Sequence, residues 1–320
     1  MRALIIGGAG AIGAAVARHA VGAGIETHVG IRPSSNPERL LPHPRVHRHA
    51  LDAGDGESLA RVLRAVRPDW VLMAAMTAGH PVDAAQRRTQ LLASCTQALA
   101  LMEAAHATAF AGTMTWLGSF MCYGQGDGGT VRRVDAALRP TTFRGAAKAA
   151  ESIVVAQLAG QFGIPVTELR VSTAYGPWEQ RERLVPSLMR AALQRQRVPV
   201  ATTSAHRDWI HYEDIARACI ASAARDPDGA MHRVVNGCRG RMHEARDVAM
   251  LASEITGVPL IDTAPFTGEN HYGEATTGEL PGDRFGWTPR IDLEAGLEDC
   301  WRWANTAAGR AYLLQPAGAA

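Results

Sequence analysis

At 320 residues, with a formal net charge of +2 and 20% charged residues, the chain has ordinary globular composition and room for one large domain or two smaller ones. Near-neutrality and scattered arginines argue against nucleic acid or a membrane surface as partner, and no apolar run reaches the length of a membrane span. The five cysteines (Cys95, Cys122, Cys219, Cys238, Cys300) contain no C-x-x-C pair, so we expect reduced thiols, no metal site, no export signal and a cytoplasmic setting.

In chain order, Ala3 to Ile6 is an apolar run that reads as a buried strand. Gly7, Gly8 and Gly10 then turn the chain, and Gly13 opens an Ala-rich helix. Gly7 permits the tight turn, Gly10 admits a pyrophosphate where a Cβ would collide, and Gly13 lets helix and strand pack closely. The free N–H groups at the helix start, around Ala11 and Ile12, would face the phosphates. The spacing is G-x-x-G-x-x-G, and its place between strand and helix makes it a candidate dinucleotide loop.

A second strand, Glu26 to Ile31, ends at Arg32-Pro33-Ser34-Ser35. An acid at this tip suits the ribose of NAD and an arginine suits the 2′-phosphate of NADP, so Arg32 and Ser34 favour NADP(H) over NAD(H). Val46 to Leu51 reads as a third strand, with Asp52 and Ala53 beside the adenine or simply shaping the turn, before a helix from Gly56 to Val66. Asp69 to Ala75 is a fourth strand whose small last residues, Ala74 and Ala75, leave room for a cofactor. A long helix from Ala84 to Ala105 leads to a strand at Thr113 to Leu117, followed by Gly118-Ser119. The helix ending near Phe162 and the strand Val166 to Ser172, which carries Val171, continue the alternation. Such alternation predicts an α/β fold, a doubly wound parallel Rossmann sheet, with ligands at the carboxyl ends of the strands. Beyond Tyr175-Gly176-Pro177 it loosens into a helix at Leu184 to Arg195, a polar run Thr202 to His206, and Arg207-Asp208-Trp209-Ile210-His211.

Taken together, the Gly7-Gly10-Gly13 loop, Asp52, Leu169-Arg170, Tyr175-Gly176-Pro177, Arg207 to His211 with Asp214, and Gly286-Trp287-Thr288-Pro289 resemble the extended short-chain dehydrogenase/reductases. That family includes nucleotide-sugar epimerases and dehydratases. The resemblance implies a Rossmann domain (1–172 plus about 208–236) and a smaller α/β substrate domain (173–207 and 237–315), with the active site between them. Family members commonly dimerise through the helices that follow Ala84 and Lys148. The resemblance also assigns Ser119 to the family's catalytic hydroxyl and Lys148, in a K-x-x-E pattern with Glu151, to its lysine. The tyrosine of Y-x-x-x-K is replaced by Arg144.

Tyrosine with a pKa lowered by lysine exchanges a proton with the reacting oxygen, whereas arginine stays charged and has no proton to exchange near neutral pH. Arg144 therefore stabilises an alkoxide, binds an anionic or phenolic substrate group, or faces solvent; Lys148 retains a use in binding the nicotinamide ribose. The family's Asn after the LR strand is Thr173, and its Gly-rich loop is the Thr202 to His206 run. Arg207 remains, as a phosphate ligand or as a partner of Asp214 or Glu213. With Met76, Phe120, Met121 and Trp178 near the same rim, two polar anchors lost and the tyrosine absent, the leading expectation is an NADPH-dependent ketoreductase. Its substrate would be a small aromatic molecule, an aromatic polyketide in antibiotic biosynthesis, reduced with help from its own phenol. This departure resembles that of tyrosine-lacking angucyclinone ketoreductases. A nucleotide-sugar dehydratase, epimerase or reductase with altered acid/base, and a non-catalytic NADP-binding protein, are the alternatives.

Overall fold

The computed structural model describes the whole chain except residues 41–42, 77–82, 127–129, 199–205, 227, 262–275, 282–285 and 316–320. In chain order the Rossmann part comprises β1 (Arg2–Ile6), α1 (Ala11–Gly22), β2 (Glu26–Ile31), β3 (Val46–Ala50), α2 (Gly56–Val66), β4 (Trp70–Met73), α3 (Ala84–Ala107) and β5 (Thr113–Ser119). β6 (Thr130–Arg132), α4 (Phe143–Phe162), β7 (Val166–Val171) and β8 (Thr173–Tyr175) follow. The remainder is α5 (Leu184–Gln194), β9 (His206–His211), α6 (Tyr212–Ala221), β10 (His232–Gly237), β11 (Met242–Glu244), α7 (Ala245–Thr256), β12 (Thr276–Gly278), α8 (Leu293–Ala304) and α9 (Ala307–Leu314).

Among the described residues, seven strands form one sheet in the order β10-β7-β5-β4-β1-β2-β3, and every pairing in it is parallel. β1 and β4 are neighbours although β2 and β3 lie between them in sequence, so the order reverses there. In open α/β sheets that reversal opens a crevice at the carboxyl ends of the strands, the ordinary place for a ligand. Ala3 to Ile6 of β1 and all of β4 are apolar and buried on both faces, as strands covered by helices on both sides must be. Val29, Ile5, Ala14 and Ala17 join Ile215 and Ala218 in the core under α1 and α6, while Leu4, Ile6, Leu59, Leu63, Leu101 and Met102 fill the core under α2 and α3.

Smaller pieces complete the molecule. β8 pairs parallel with β9, and β9 pairs antiparallel with β11. A separate core of Tyr175, Trp178, Leu188, Trp209, Val248, Leu297 and Tyr312 gathers α5, α7, α8 and α9 beyond the sheet. The structure thus has the expected Rossmann sheet with a C-terminal α/β part. β10 lies at the edge of the large sheet, whereas β9, just before α6, belongs to the small one.

Buried acids join distant segments. Asp208, 2% exposed, accepts the N–H groups of Arg239 and Gly240, both at 2.8 Å, and the hydroxyl of Thr277. Asp214 accepts the N–H groups of Arg290 and Ile291 at 3.0 Å and pairs with Arg217. Glu213 pairs with His19 at 2.9 Å. Both acids offered by the sequence as partners for Arg207 thus have structural duties of their own.

Candidate active site

The crevice is built from the ends of β1, β4, β5 and β7. After β1 the chain turns at Gly7, whose φ of +85° favours glycine and whose missing Cβ would lie 2.5 Å from the Ala75 nitrogen after β4. At Gly13 a Cβ would lie 2.4 Å from the Gly7 oxygen, so any side chain would push α1 off the loop. The loop is pinned from beneath, since Gly7 and Gly8 donate to the Gly30 oxygen at 3.1 and 3.4 Å. Gly10 is the N-cap of α1 and no side chain caps that helix. A Cβ at exposed Gly10 would approach only the Gly7 oxygen, at 3.2 Å, and would otherwise occupy the space in front of Ala11 and Ile12. Positive backbone dipoles, absence of a capping side chain and room for a close approach fit a dinucleotide pyrophosphate.

The outer end of this groove lies at β2. Arg32 and Ser34 are exposed just beyond that strand, and Asp52 is exposed beyond β3, its Oδ1 accepting the Gly54 N–H at 2.9 Å. Ala53 is buried, while Ala74 and Ala75 are half-buried at the end of β4. Val171 ends β7 directly opposite Ser119 of β5, so both lie on the crevice rim.

Lys148 enters from α4. Thr142 caps that helix by accepting the Gly145 N–H at 3.1 Å, and Gly145 allows close contact, since a Cβ there would lie 2.3 Å from the Met121 oxygen. The next turn of helix carries Lys148 under the end of β5. Its Nζ donates to the Leu117 oxygen at 3.0 Å and pairs with Glu151 at 2.7 Å. Glu151 is 2% exposed and also accepts the Trp116 indole N–H at 2.8 Å. This pair explains the K-x-x-E spacing: one helical turn separates cation from acid, and the acid is itself held by the strand that carries Ser119. Breaking such a buried pair leaves an uncompensated charge and costs on the order of 3–5 kcal/mol.

Ser119 is half-buried at the mouth, its Oγ accepting the Met121 N–H at 3.2 Å and capping the short 3₁₀ turn Phe120–Cys122. Arg144, on the first turn of α4, donates to the Met76 sulfur at 3.1 Å. Met76 directly follows Ala75, which touches Gly7, so the guanidinium reaches across the opening toward the β4 rim beside the glycine loop. A permanent cation therefore stands there, on the helix face preceding Lys148 by one turn.

The apolar residues assigned to the rim separate into two groups. Met76 is exposed and Met121 half-buried. Phe120 is 2% exposed with its ring on the edge of Tyr123, and Thr173 is 9% exposed inside β8. The Trp178 ring packs on Trp303 and Tyr312 in the C-terminal core, with centroids 5.2 Å apart in each case. Phe120 packs in a small core with Cys122, Tyr123, Ala149 and Cys238, and Trp178 in the C-terminal core.

Four tyrosines lie among the described residues, and none offers a substitute phenol at the mouth. Tyr123 is 1% exposed and donates to the Asn236 oxygen at 2.9 Å; burial, only partly opposed by Arg170, pushes its pKa up to about 12. Tyr175, Tyr212 and Tyr312 are buried, and Tyr272 lies outside the described residues, as do 202–205 of the polar run. Arg39 was not singled out in the sequence. It donates to the Ala9 oxygen in the glycine loop (3.4 Å), to the Trp178 oxygen (3.0 Å) and to the Tyr312 hydroxyl (2.6 Å), tying the loop to the C-terminal core. Its partner Tyr312 is 273 residues away in sequence, a pairing with no local signal.

Residues 3–237 match the NAD dependent epimerase/dehydratase family. The chain belongs to that family. A probable dTDP-glucose 4,6-dehydratase of Sinorhizobium fredii is 25% identical over 338 residues, covering 95% of this chain and 92% of that protein. The UDP-glucose 4-epimerase of Streptomyces lividans is 26% identical over 324 residues, covering 95% and 96%. A longer trifunctional UDP-glucose 4,6-dehydratase, 3,5-epimerase and reductase of Arabidopsis thaliana, 24% identical, matches 52% of this chain, which spans only 25% of that protein's length. Among solved structures, the UDP-glucose 4-epimerase of Thermus thermophilus in complex with NAD superimposes with a TM-score of 0.81 at 22% identity, covering 96% of this chain and all of the other. The expectation of an aromatic-polyketide ketoreductase is thereby corrected. Relatives matched from end to end are nucleotide-sugar dehydratases and epimerases. Two of the residues that weighed toward an aromatic ligand, Phe120 and Trp178, are packed in cores. Among the described residues no helix is long and apolar enough to cross a membrane.

Proposed function

We propose that the chain is a nicotinamide-dependent enzyme acting on a nucleotide-linked sugar, with a fixed cation where its family has a proton donor. The observation that carries this reading is the buried Lys148–Glu151 pair. It keeps the family lysine on the Leu117 oxygen directly beneath the Ser119 rim, beside a dinucleotide loop that retains all its close approaches. A surface lysine has no need of such support.

When bound, a nicotinamide cofactor supplies a hydride acceptor or donor. Gly7, Gly10, Gly13 and the first amides of α1 would hold its pyrophosphate, and Lys148 its nicotinamide ribose. Arg32 and Ser34 favour the 2′-phosphate of NADP(H). At the reacting carbon, Ser119 donates a hydrogen bond to the substrate oxygen, and Arg144 stabilises the negative charge that gathers on it. Such a preorganised cation in a partly dry site can supply a few kcal/mol. Arg144 cannot carry the proton, so the oxygen exchanges it with water at the open mouth. Arg207 suits the diphosphate. Leu92 and Leu99 on α3 and Ile153 on α4 are exposed, the composition expected if the chain dimerises through those helices.

Nucleotide binding tests this reading. In the presence of NADP+ or NAD+, UDP, dTDP or GDP should raise the melting temperature, by mass action on the folded state. A melting temperature indifferent to all three nucleotides would sink it.

A further inference from the structure

One cluster has no part in the crevice chemistry. β3 reads Val46-His47-Arg48-His49-Ala50, and its parallel neighbour β2 begins Glu26-Thr27-His28. His28 is in register with His47, and Gly30 with His49. Because side chains alternate along a strand, Glu26, His28, His47 and His49 share one face, while Thr27 and Val29 point into the sheet's other, buried face. α2 and α3 cover the middle of the histidine face but leave its outer edge open: His47 and Glu26 are exposed, His28 and His49 half-buried.

Three imidazoles and a carboxylate converge there. His28 Nδ1 lies 2.9 Å from His49 Nε2, and His28 Nε2 lies 3.0 Å from Glu26 Oε1. The His28 and His47 rings stack with centroids 4.8 Å apart. One donor atom from each of Glu26, His28 and His47 lies within 4.8 Å of the others.

We propose that Glu26, His28 and His47 form a binding site for a divalent first-row transition metal of the zinc type, with His49 hydrogen-bonded to His28 behind it. Imidazole and carboxylate are the donors such ions prefer over the all-oxygen sets of magnesium and calcium. Bonds of about 2.0–2.1 Å in a tetrahedron put donor atoms roughly 3.3 Å apart, so the set closes by small rotations of surface side chains. One His28 nitrogen binds the ion and the other keeps its hydrogen bond, the arrangement that orients metal-binding histidines. The ion joins the outermost strand to its neighbour at the sheet's open edge. Glu26 and His28 lie in the amino-terminal half of β2 and Arg32 follows its carboxyl end, so the ion stands apart from the reacting carbon and its role is structural.

The test is equilibrium dialysis of the full chain against ZnCl2 with a competing chelator, followed by elemental analysis. One zinc per chain should be retained with a raised melting temperature. His47→Ala, whose side chain is exposed and so leaves the fold intact, should weaken binding at least tenfold. The His28→Ala/His47→Ala pair should abolish it, and His243→Ala on distant β11 should leave it unchanged. Retention unaffected by the double substitution, or no zinc retained by the unaltered chain, would overturn the proposal and leave a polar network only. Because the readout is bound metal, this result is independent of whether nucleotide sugars bind.

Discussion

The glycine loop and the first turn of α4 face each other across one crevice, yet they are constrained in different ways. At the loop, positions are dictated by backbone: Gly7 against Ala75, Gly13 against the Gly7 oxygen, and both Gly7 and Gly8 on the Gly30 oxygen. At α4 the buried constraint is the Lys148 pair with Glu151. One turn earlier, Arg144 is a half-exposed side chain resting on a thioether. A loop held by such backbone contacts tolerates almost no change without backbone movement. Arg144, the proposed substrate-facing group, is a long side chain on the first turn of α4, so its chemistry can change with the frame intact.

The sharpest way to break this comparison is at the loop. Gly13→Val should abolish cofactor binding, a loss above 100-fold or about 2.7 kcal/mol, in a titration of NADPH fluorescence. Retained affinity would mean that helix and loop can separate at little cost. Next comes the frame beneath α4: Glu151→Gln leaves the Lys148 ammonium buried without its acid, and urea unfolding should show a loss of about 3–5 kcal/mol. A loss below 1 kcal/mol would show that the pair is not held as described. At the outer end of the groove, Arg32→Ala should weaken NADPH roughly tenfold or more, about 1.4 kcal/mol, with little effect on NADH. Equal effects on the two would remove the preference for NADP.

A smaller effect concerns pH. Glu168 is buried, which by itself raises a carboxyl pKa, but His232, its Nε2 3.4 Å away, and the Arg170 cation bring it down to about 2. A carboxyl depressed in the folded state contributes stability that is present above its unfolded value near 4.5 and is lost as pH falls from there toward 2. Glu168→Gln should therefore flatten the acid limb of a stability–pH curve between those values while lowering stability at neutral pH. An unchanged acid limb would assign acid sensitivity to other groups.

Much of the frame was legible because its signals are local. β2 and α2 run over Glu26–Ile31 and Gly56–Val66, the spans their apolar patterns and flanking turn residues predict. Asp55 caps α2 through the N–H groups of Glu57 and Ser58, a short-range device that punctuates the sequence. What joins distant segments was hidden. Arg39 meets Tyr312, Asp208 meets Thr277, and β8 finds β9 across a helix and a polar run, all by packing that leaves no periodicity. Trp178 shows the same limit. Its place after Tyr175-Gly176-Pro177 suggests a rim, and only the arrival of Trp303 and Tyr312 from the far end of the chain makes it core. The expected aromatic substrate rested in part on such residues, and an aromatic residue near a crevice in sequence can turn either way.

In the proposed chemistry Arg144 supplies charge and not a proton. Its most direct test is the pH dependence of NADPH consumption with a nucleotide-linked ketosugar, in the unaltered chain and in Arg144→Tyr. Position 144 should contribute no ionisation to the unaltered profile, while Arg144→Tyr should introduce one below the ordinary tyrosine value of about 10, lowered by Lys148. A tyrosine-like ionisation already present in the unaltered chain and unmoved by the substitution, or no consumption of NADPH at all, would contradict it.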